Sequence, residues 1–199
     1  MKRCLDVAIA ATTLILLAPI MICVAALAKV TQGGPILFGH RRIGYGGRVF
    51  LCWKFRTMFV NGDEILQQHF LENPAVIDEW RMTQKLRLDP RITPLGRLLR
   101  MSSIDELPQL MNVLKGEMSC VGPRPIVDAE LERYGDKAAD YLSARPGVTG
   151  LWQVSGRSTC SYEERVALDS TYVRNWSLGR DLVILLKTIP AILRTDRAA

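Results

Sequence analysis

From Val7 to Ala28 the chain runs 22 residues without a charge, between Lys2 and Arg3 on one side and Lys29 on the other. At about 1.5 Å per residue such a run would cross a bilayer if helical and straight. Pro19 falls near its middle, removes a backbone hydrogen bond and predicts a break into two halves of roughly three turns each. Basic residues stand at both ends, with Arg41 and Arg42 beyond Lys29, so loop charge gives no orientation across the membrane. A kinked, re-entrant helix with both ends on the cytoplasmic side satisfies these facts together. The alternatives are a spanning helix and a signal peptide cleaved after Ala26-Leu27-Ala28. The predicted division is therefore a membrane element over residues 1–32, broken at Pro19, and a cytosolic or interfacial domain over 33–199.

Gly33, Gly34 and Pro35 end this element, and the period then changes. Around a Tyr45-Gly46-Gly47 turn, Arg48 to Met58 alternates Val49, Leu51, Trp53 and Phe55 with Phe50, Cys52, Lys54 and Arg56, which predicts a hairpin. Lys54 and Arg56 project together, as a solvated face or as groups turned to a substrate. Residues 61–86 are polar and helical in pattern, with Asn73-Pro74 reading as an N-cap and first-turn proline. Thr93-Pro94 opens a short helix carrying Leu95, Leu98 and Leu99 on one face and Arg91, Arg97 and Arg100 elsewhere. Residues 127–140 read as a charged surface helix, and 145–157 as a glycine-punctuated loop or short hairpin containing Trp152. Ser161 to Glu164 forms a capping box that opens a helix to about Asn175. The last segment, 180–193, is apolar, with Arg180, Lys187 and Arg194 seven apart; it is either core or an interfacial helix with its cations near lipid phosphates. The sum is an α+β fold, mostly helical, with one small β-hairpin.

The stretch from Ser102 to Pro125 concentrates the candidate chemistry. Ser103 and Glu106 have capping-box spacing, and Asp105 is an alternative N-cap, with Pro108 in the first turn. Leu107, Leu110, Met111 and Leu114 follow on one helical face, and Gly116 stands where a left-handed C-cap is expected. Asp105 and Glu106 would then lie at a helix start, where partial positive charge keeps carboxylates ionised. Such a pair either only caps the helix, or holds a hard cation such as Mg2+ and supplies a nucleophile toward phosphorus. Arg124 lies between Pro123 and Pro125, so a stiff backbone holds out a guanidinium whose fork suits phosphate. Arg100 is a second candidate clamp.

Composition narrows the classes. With 199 residues and a net charge of +6, the chain can build one cored domain whose basic balance suits phosphorylated substrates or an anionic surface. No nucleic-acid module pattern accompanies that charge. The five cysteines, Cys4, Cys23, Cys52, Cys120 and Cys160, are scattered without C-x-x-C spacing, which points to reduced thiols rather than disulfides or zinc. His40 and His69 stand alone and read as ordinary polar residues.

The runs Ser103-Ile-Asp-Glu-Leu-Pro-Gln-Leu110, Asn112-Val-Leu-Lys-Gly-Glu-Met-Ser119 and Val121-Gly-Pro-Arg-Pro125 together resemble the bacterial sugar transferase family, monotopic phosphoglycosyl transferases that start polysaccharide repeat units. The likeness extends through Lys54-Phe-Arg-Thr-Met58 and Arg145-Pro-Gly-Val-Thr-Gly-Leu-Trp-Gln-Val-Ser-Gly-Arg157, and is greatest to exopolysaccharide enzymes of the galactosyl-phosphate type. It implies a re-entrant helix broken at a small residue before proline, here Ala18-Pro19 in place of the usual Ser-Pro. It also implies transfer of a hexose 1-phosphate from a UDP-hexose to undecaprenyl phosphate with release of UMP, at the cytoplasmic face of a bacterial inner membrane. In that mechanism Asp105 is the nucleophile, Asp105 and Glu106 hold Mg2+, and Arg100, Pro123, Arg124 and Pro125 bind substrate, with Lys54 and Arg56 beside them. Membrane lipids and a second copy of the chain are further partners on this reading. A catalytically silent membrane adaptor and a metal-dependent phosphohydrolase are the rival readings of the same carboxylates.

Overall fold

The computed structural model describes residues 1–83, 86–156 and 160–193. Gln84, Lys85, Arg157 and Arg194, which figure in the sequence reading, lie outside them. Helix α1 spans Lys2–Gln32 as one element that continues through Pro19, where the sequence predicted two separate halves. Among the described residues it is the one helix long and apolar enough to cross a membrane. Its two faces differ. Asp6, Ala10, Val24 and Ala28 are buried against the rest of the chain, whereas Ile15, Leu16, Ile22 and Val30 are each 69–85% exposed. Apolar surface of that extent turned outward has no partner among the described residues.

Strands β1 (Leu37–Ile43) and β2 (Val49–Phe55) form the expected antiparallel hairpin, in register from Leu37 opposite Phe55 to Ile43 opposite Val49. Gly46 and Gly47 take positive φ in the turn, a conformation that suits glycine. The alternation settles which face is inward: Phe50 and Cys52 are buried and Val49 and Leu51 are exposed. Helices α2 (Gly62–Glu72) and α3 (Val76–Thr83) are separated around Asn73-Pro74, but Asn73 is the C-cap of α2 and Pro74 lies in the link, so the predicted N-cap and first-turn proline are not formed. Helix α4 (Pro94–Met101) starts at Thr93, whose hydroxyl accepts the Gly96 N–H at 2.9 Å.

A 3-10 turn at Ile104–Glu106 precedes helix α5 (Gln109–Lys115), which ends at Gly116 with φ 85°. The apolar face of α5 is rotated from the predicted one. Leu110 and Val113 enter the core, while Met111 and Leu114 remain 40% and 39% exposed. Strand β3 (Ser119–Val121) pairs in parallel with β4 (Gly147–Thr149). Between them lie α6 (Asp128–Leu131), a 3-10 segment Glu132–Lys137 and α7 (Ala138–Leu142), not the single surface helix expected. Gly135, at φ 50° and ψ −130°, breaks the run, and Tyr134 and Tyr141 turn inward. Short helix α8 (Leu151–Ser155) replaces the predicted loop around Trp152. Helix α9 (Tyr162–Arg174) carries the expected capping box: the Ser161 hydroxyl accepts the Glu164 N–H at 3.1 Å and the Glu164 carboxylate accepts the Ser161 N–H at 2.8 Å.

Helix α10 (Leu178–Leu193) buries Asp181 and Ile184 and exposes Leu182, Val183, Leu186 and Ile189 together with Arg180 and Lys187. It is tied to the start of α1, where Lys2 Nζ lies 2.6 Å from the Asp181 carboxylate and 3.0 Å from the Val121 carbonyl. Asp6, 4% exposed, accepts hydrogen bonds from the Ser119 hydroxyl and the Cys120 N–H. These polar bonds join the first turns of α1 to β3 and α10 around the main core of Ala10, Phe50, Leu110, Val113, Met118 and Tyr172.

Candidate active site

A cleft of about 1240 Å³ is lined by Lys54, Arg56, Arg100, Asp105, Glu106, Arg124 and Pro125. Seven of the eight residues singled out in the sequence therefore meet at one surface. Pro123 does not line it; it is buried, and its carbonyl accepts the Gly147 N–H at 2.8 Å.

The carboxylates sit differently from the helix-start expectation. Ser103 adopts φ 57°, ψ 14° and its side chain makes no cap bond, so neither the capping box nor an Asp105 N-cap forms. Among the described residues Ser103 is the single non-glycine with positive φ, a conformation costing of order 1 kcal/mol. That turn ends α4 and swings Asp105 and Glu106 onto the 3-10 turn ahead of α5, facing the cleft. Asp105 is 7% exposed, and its burial pushes the carboxyl from 3.8 up to about 6, even though Lys54 beside it pulls the other way. The environment therefore does not simply keep it ionised. Lys54 Nζ stands 2.6 Å from Glu106 Oε1 and 3.9 Å from Asp105 Oδ2, bridging the pair.

Lys54 owes its place to Asn112. This fully buried amide accepts the Trp53 N–H at 3.1 Å and donates to the Leu51 carbonyl at 2.7 Å and to Glu117 at 2.6 Å. Asn112 thus completes the open edge of β2 as a neighbouring strand would. Arg100 approaches from α4, its Nε donating to the Thr57 hydroxyl at 2.9 Å, and burial lowers its pKa from the ordinary value. The closeness of α4 to Thr57 depends on Gly96, where a Cβ would lie 2.0 Å from the Thr57 carbonyl oxygen. Arg56, 7% exposed, donates to the Gly33 carbonyl at the end of α1, while its Nε and Nη1 have no partner among the described residues.

The opposite wall is cationic. Arg124 stands with its guanidinium 5.4 Å from the Trp152 ring centre, and burial lowers its pKa, with Arg165 repulsion adding to the effect. Arg165 pairs with Glu130 at 2.9 Å, and Arg42 lies 3.5 Å from the same carboxylate. Asp169 accepts the Tyr134 hydroxyl at 2.9 Å; burial raises its carboxyl from 3.8 to about 7. Sequence reasoning missed this group, because Arg42, Glu130 and the pair Arg165 and Asp169 come from three separated elements, β1, α6 and α9, without a shared motif. The one signal available was the glycine spacing of 145–157. Cβ atoms at Gly122, Gly147 and Gly150 would each lie within 2.3 Å of backbone across the β3–β4 contact, so these glycines let the Arg124 turn rest against Trp152.

Mg2+ keeps several waters and takes one or two carboxylates together with substrate phosphates. Adjacent cleft-facing Asp105 and Glu106 are two such carboxylates, both paired here with Lys54. Buried Cys52 and Cys120 are pushed up to about 11 and about 12, which leaves them as inert thiols.

A paired carboxylate under a lysine, flanked by arginines in a cleft beside an apolar helix, is an arrangement suited to phosphate-group chemistry. The chain belongs to the bacterial sugar transferase family, whose profile matches residues 1–195. It is 57% identical over 191 residues to the exopolysaccharide production protein ExoY of Sinorhizobium fredii, covering 96% of this chain and 84% of that one. It is 51% identical over 199 residues to the undecaprenyl-phosphate galactose phosphotransferase of Salmonella typhimurium, covering 100% of this chain and 41% of that one. It is 42% identical over 205 residues to the UDP-glucose:undecaprenyl-phosphate glucose-1-phosphate transferase of Caulobacter vibrioides, covering 99% and 71%.

Proposed function

We propose that this enzyme transfers a hexose 1-phosphate, galactose 1-phosphate first and glucose 1-phosphate second, from a UDP-sugar to undecaprenyl phosphate. UMP is released, and the step begins an exopolysaccharide repeat unit. The observation that carries the reading is the buried Asp105 beside Glu106 and Lys54 in a cleft with arginines on both walls. The names of the relatives support the substrates, divided between galactose and glucose.

The chemistry follows in two displacements. An Asp105 oxygen attacks the sugar-bearing phosphorus, the bond from that phosphorus to the bridging oxygen breaks, and UMP leaves. An oxygen of the lipid phosphate then attacks the same phosphorus, breaking its bond to Asp105 and restoring the carboxylate. Lys54 and Arg100 neutralise charge on the transferring group, and Arg124 holds phosphate oxygens; in phosphoryl transfer the protein supplies mainly positioning and charge compensation. Mg2+ held by Asp105 and Glu106 would neutralise the diphosphate. Lys54, on the strand whose edge Asn112 completes, keeps the two carboxylates together without their full mutual repulsion.

The outward apolar face of α1, with Leu182, Leu186 and Ile189 of α10, supports anchoring at a membrane, α1 entering as a re-entrant element from the cytoplasmic side. Phe38, Phe59 and Val60 give the cleft an apolar rim, and Val60 lies beside Gly34, just past the end of α1.

The test is nucleotide release by purified protein in detergent, with Mg2+ and a panel of UDP-sugars, with and without undecaprenyl phosphate. UMP release coupled to movement of radiolabelled sugar into the organic phase is expected. UDP release, or release with water as the sole acceptor, would overturn the reading.

A further inference from the structure

The cleft has two chemically distinct ends on either side of the carboxylates. Asp105 is influenced by Lys54, Glu106 and Arg100, whereas Arg124 is influenced by Arg165, Glu130, Arg42 and Glu106. Glu106 is the group common to both. The Arg100 end adjoins the apolar rim, since the Phe59 N–H donates to the Arg91 carbonyl and Arg100 bonds Thr57. The Arg124 end is lined by Trp152, Tyr162 and Arg165. It holds the Trp152 indole, with Arg124 at 5.4 Å and Arg165 at 5.8 Å from the ring centre.

Two donors at this end lack partners among the described residues, namely the indole Nε1 of Trp152 and the Nε of Arg165, a side chain only 8% exposed. Charge is also unbalanced. Three guanidinium groups, Arg42, Arg124 and Arg165, face Glu130 and an Asp169 whose carboxyl is only partly ionised near neutrality. Buried cations with spare N–H donors favour an anion, and an indole with a free N–H suits a flat ring bearing carbonyl acceptors.

We infer that Trp152, Arg124 and Arg165 form the subsite for the nucleoside monophosphate half of the donor, which fixes the donor's polarity in the cleft. The pyrimidine nucleotide lies at the Trp152 end, the sugar-bearing phosphorus faces Asp105, and the hexose points toward Arg100 and the apolar rim. The inference rests on the transfer reading for the donor's identity, but nucleotide binding tests it without turnover. It also places sugar discrimination with the residues around Phe59, distant from Trp152.

The experiment is titration of UMP into the detergent-solubilised protein and its variants by calorimetry, with thermal unfolding in the absence of nucleotide as the control for folding. Trp152→Ala should weaken UMP by about tenfold or more, the loss expected when a stacked base loses its ring. Arg124→Lys should weaken UMP while leaving inorganic phosphate competition nearer to wild type, because a point charge replaces the fork. Phe59→Ala should leave the UMP affinity within twofold and alter the ratio of UDP-galactose to UDP-glucose use. A Trp152→Ala protein that folds and binds UMP as wild type does would overturn the subsite, as would a wild type that binds no UMP. If UMP binds in a Trp152-dependent way and no sugar is transferred, the subsite stands and the transfer reading fails.

Discussion

Replacing Asn112 separates the role of a buried amide from that of mere volume. In Asn112→Leu the volume is kept, and the Trp53 N–H, the Leu51 carbonyl and the Glu117 carboxylate lose their partner. Glu117 is half-buried and can turn to water, so its loss is small. The two backbone groups of β2 remain beneath α5, and at about 1–2 kcal/mol for each group left unpaired the cost is roughly 2–4 kcal/mol. That is a large part of a typical domain stability of about 5–15 kcal/mol. In Asn112→Asp the introduced carboxylate can still accept from Trp53 but faces the Leu51 carbonyl and Glu117 with no proton to offer. Its folded pKa is raised, so stability is retained at low pH and lost as pH rises through that value. Urea unfolding in detergent at pH 5 and pH 8 reads both effects. Asn112→Leu should lose stability equally at the two pH values, and Asn112→Asp should lose more at pH 8. An Asn112→Leu protein within 0.5 kcal/mol of wild type, a margin typical of unimportant surface changes, would refute the edge-completing role.

Asp105→Asn should abolish transfer and, before substrate binds, stabilise the fold at neutral pH. Burial raises this carboxyl from 3.8 to about 6, so ionising it costs at most about 3 kcal/mol, fully relieved below the unfolded value and incurred as pH rises through about 6; thermal unfolding should show the gain at pH 7.5 and little at pH 4. In the metal-free protein the same shift places the titration of Asp105 near pH 6, read from its carboxyl resonance by NMR, and a midpoint near pH 4 would contradict it. Gly122→Ala drives a Cβ to 2.3 Å from the Arg145 carbonyl oxygen, so it should lower stability by several kcal/mol or displace the Arg124 turn, raising KM for the nucleotide sugar more than it lowers kcat. Glu106→Gln should weaken Mg2+ dependence, seen as a rise in the metal concentration at half-maximal rate.

Elements with a local signature were legible in the sequence. The hairpin followed from alternation around Gly46-Gly47, the start of α4 from Thr93-Pro94, the start of α9 from its capping box and the end of α5 from Gly116. The site residues were legible because Asp105, Glu106 and Arg124 stand in one dense stretch. What failed was non-local. Ser103 has capping spacing, but closing α4 against Thr57 forces it into a left-handed turn instead. The parallel pairing of β3 with β4 joins segments 28 residues apart through glycines whose meaning appears only when the two backbones touch. Arg165 and Asp169 look like ordinary polar positions of a capped helix, and their role comes from the turn that α9 packs beneath.

The claim on which the account turns is a covalent phosphosugar on Asp105. Incubating the protein with a UDP-sugar labelled with 32P at the sugar-linked phosphate, without lipid acceptor, should release close to one equivalent of UMP and leave label on a peptide containing Asp105. Adding undecaprenyl phosphate should then move that label into the organic phase, and Asp105→Asn should acquire none. Unlabelled protein that still transfers the sugar phosphate once lipid is present would contradict it, because the lipid phosphate would then be attacking the donor directly.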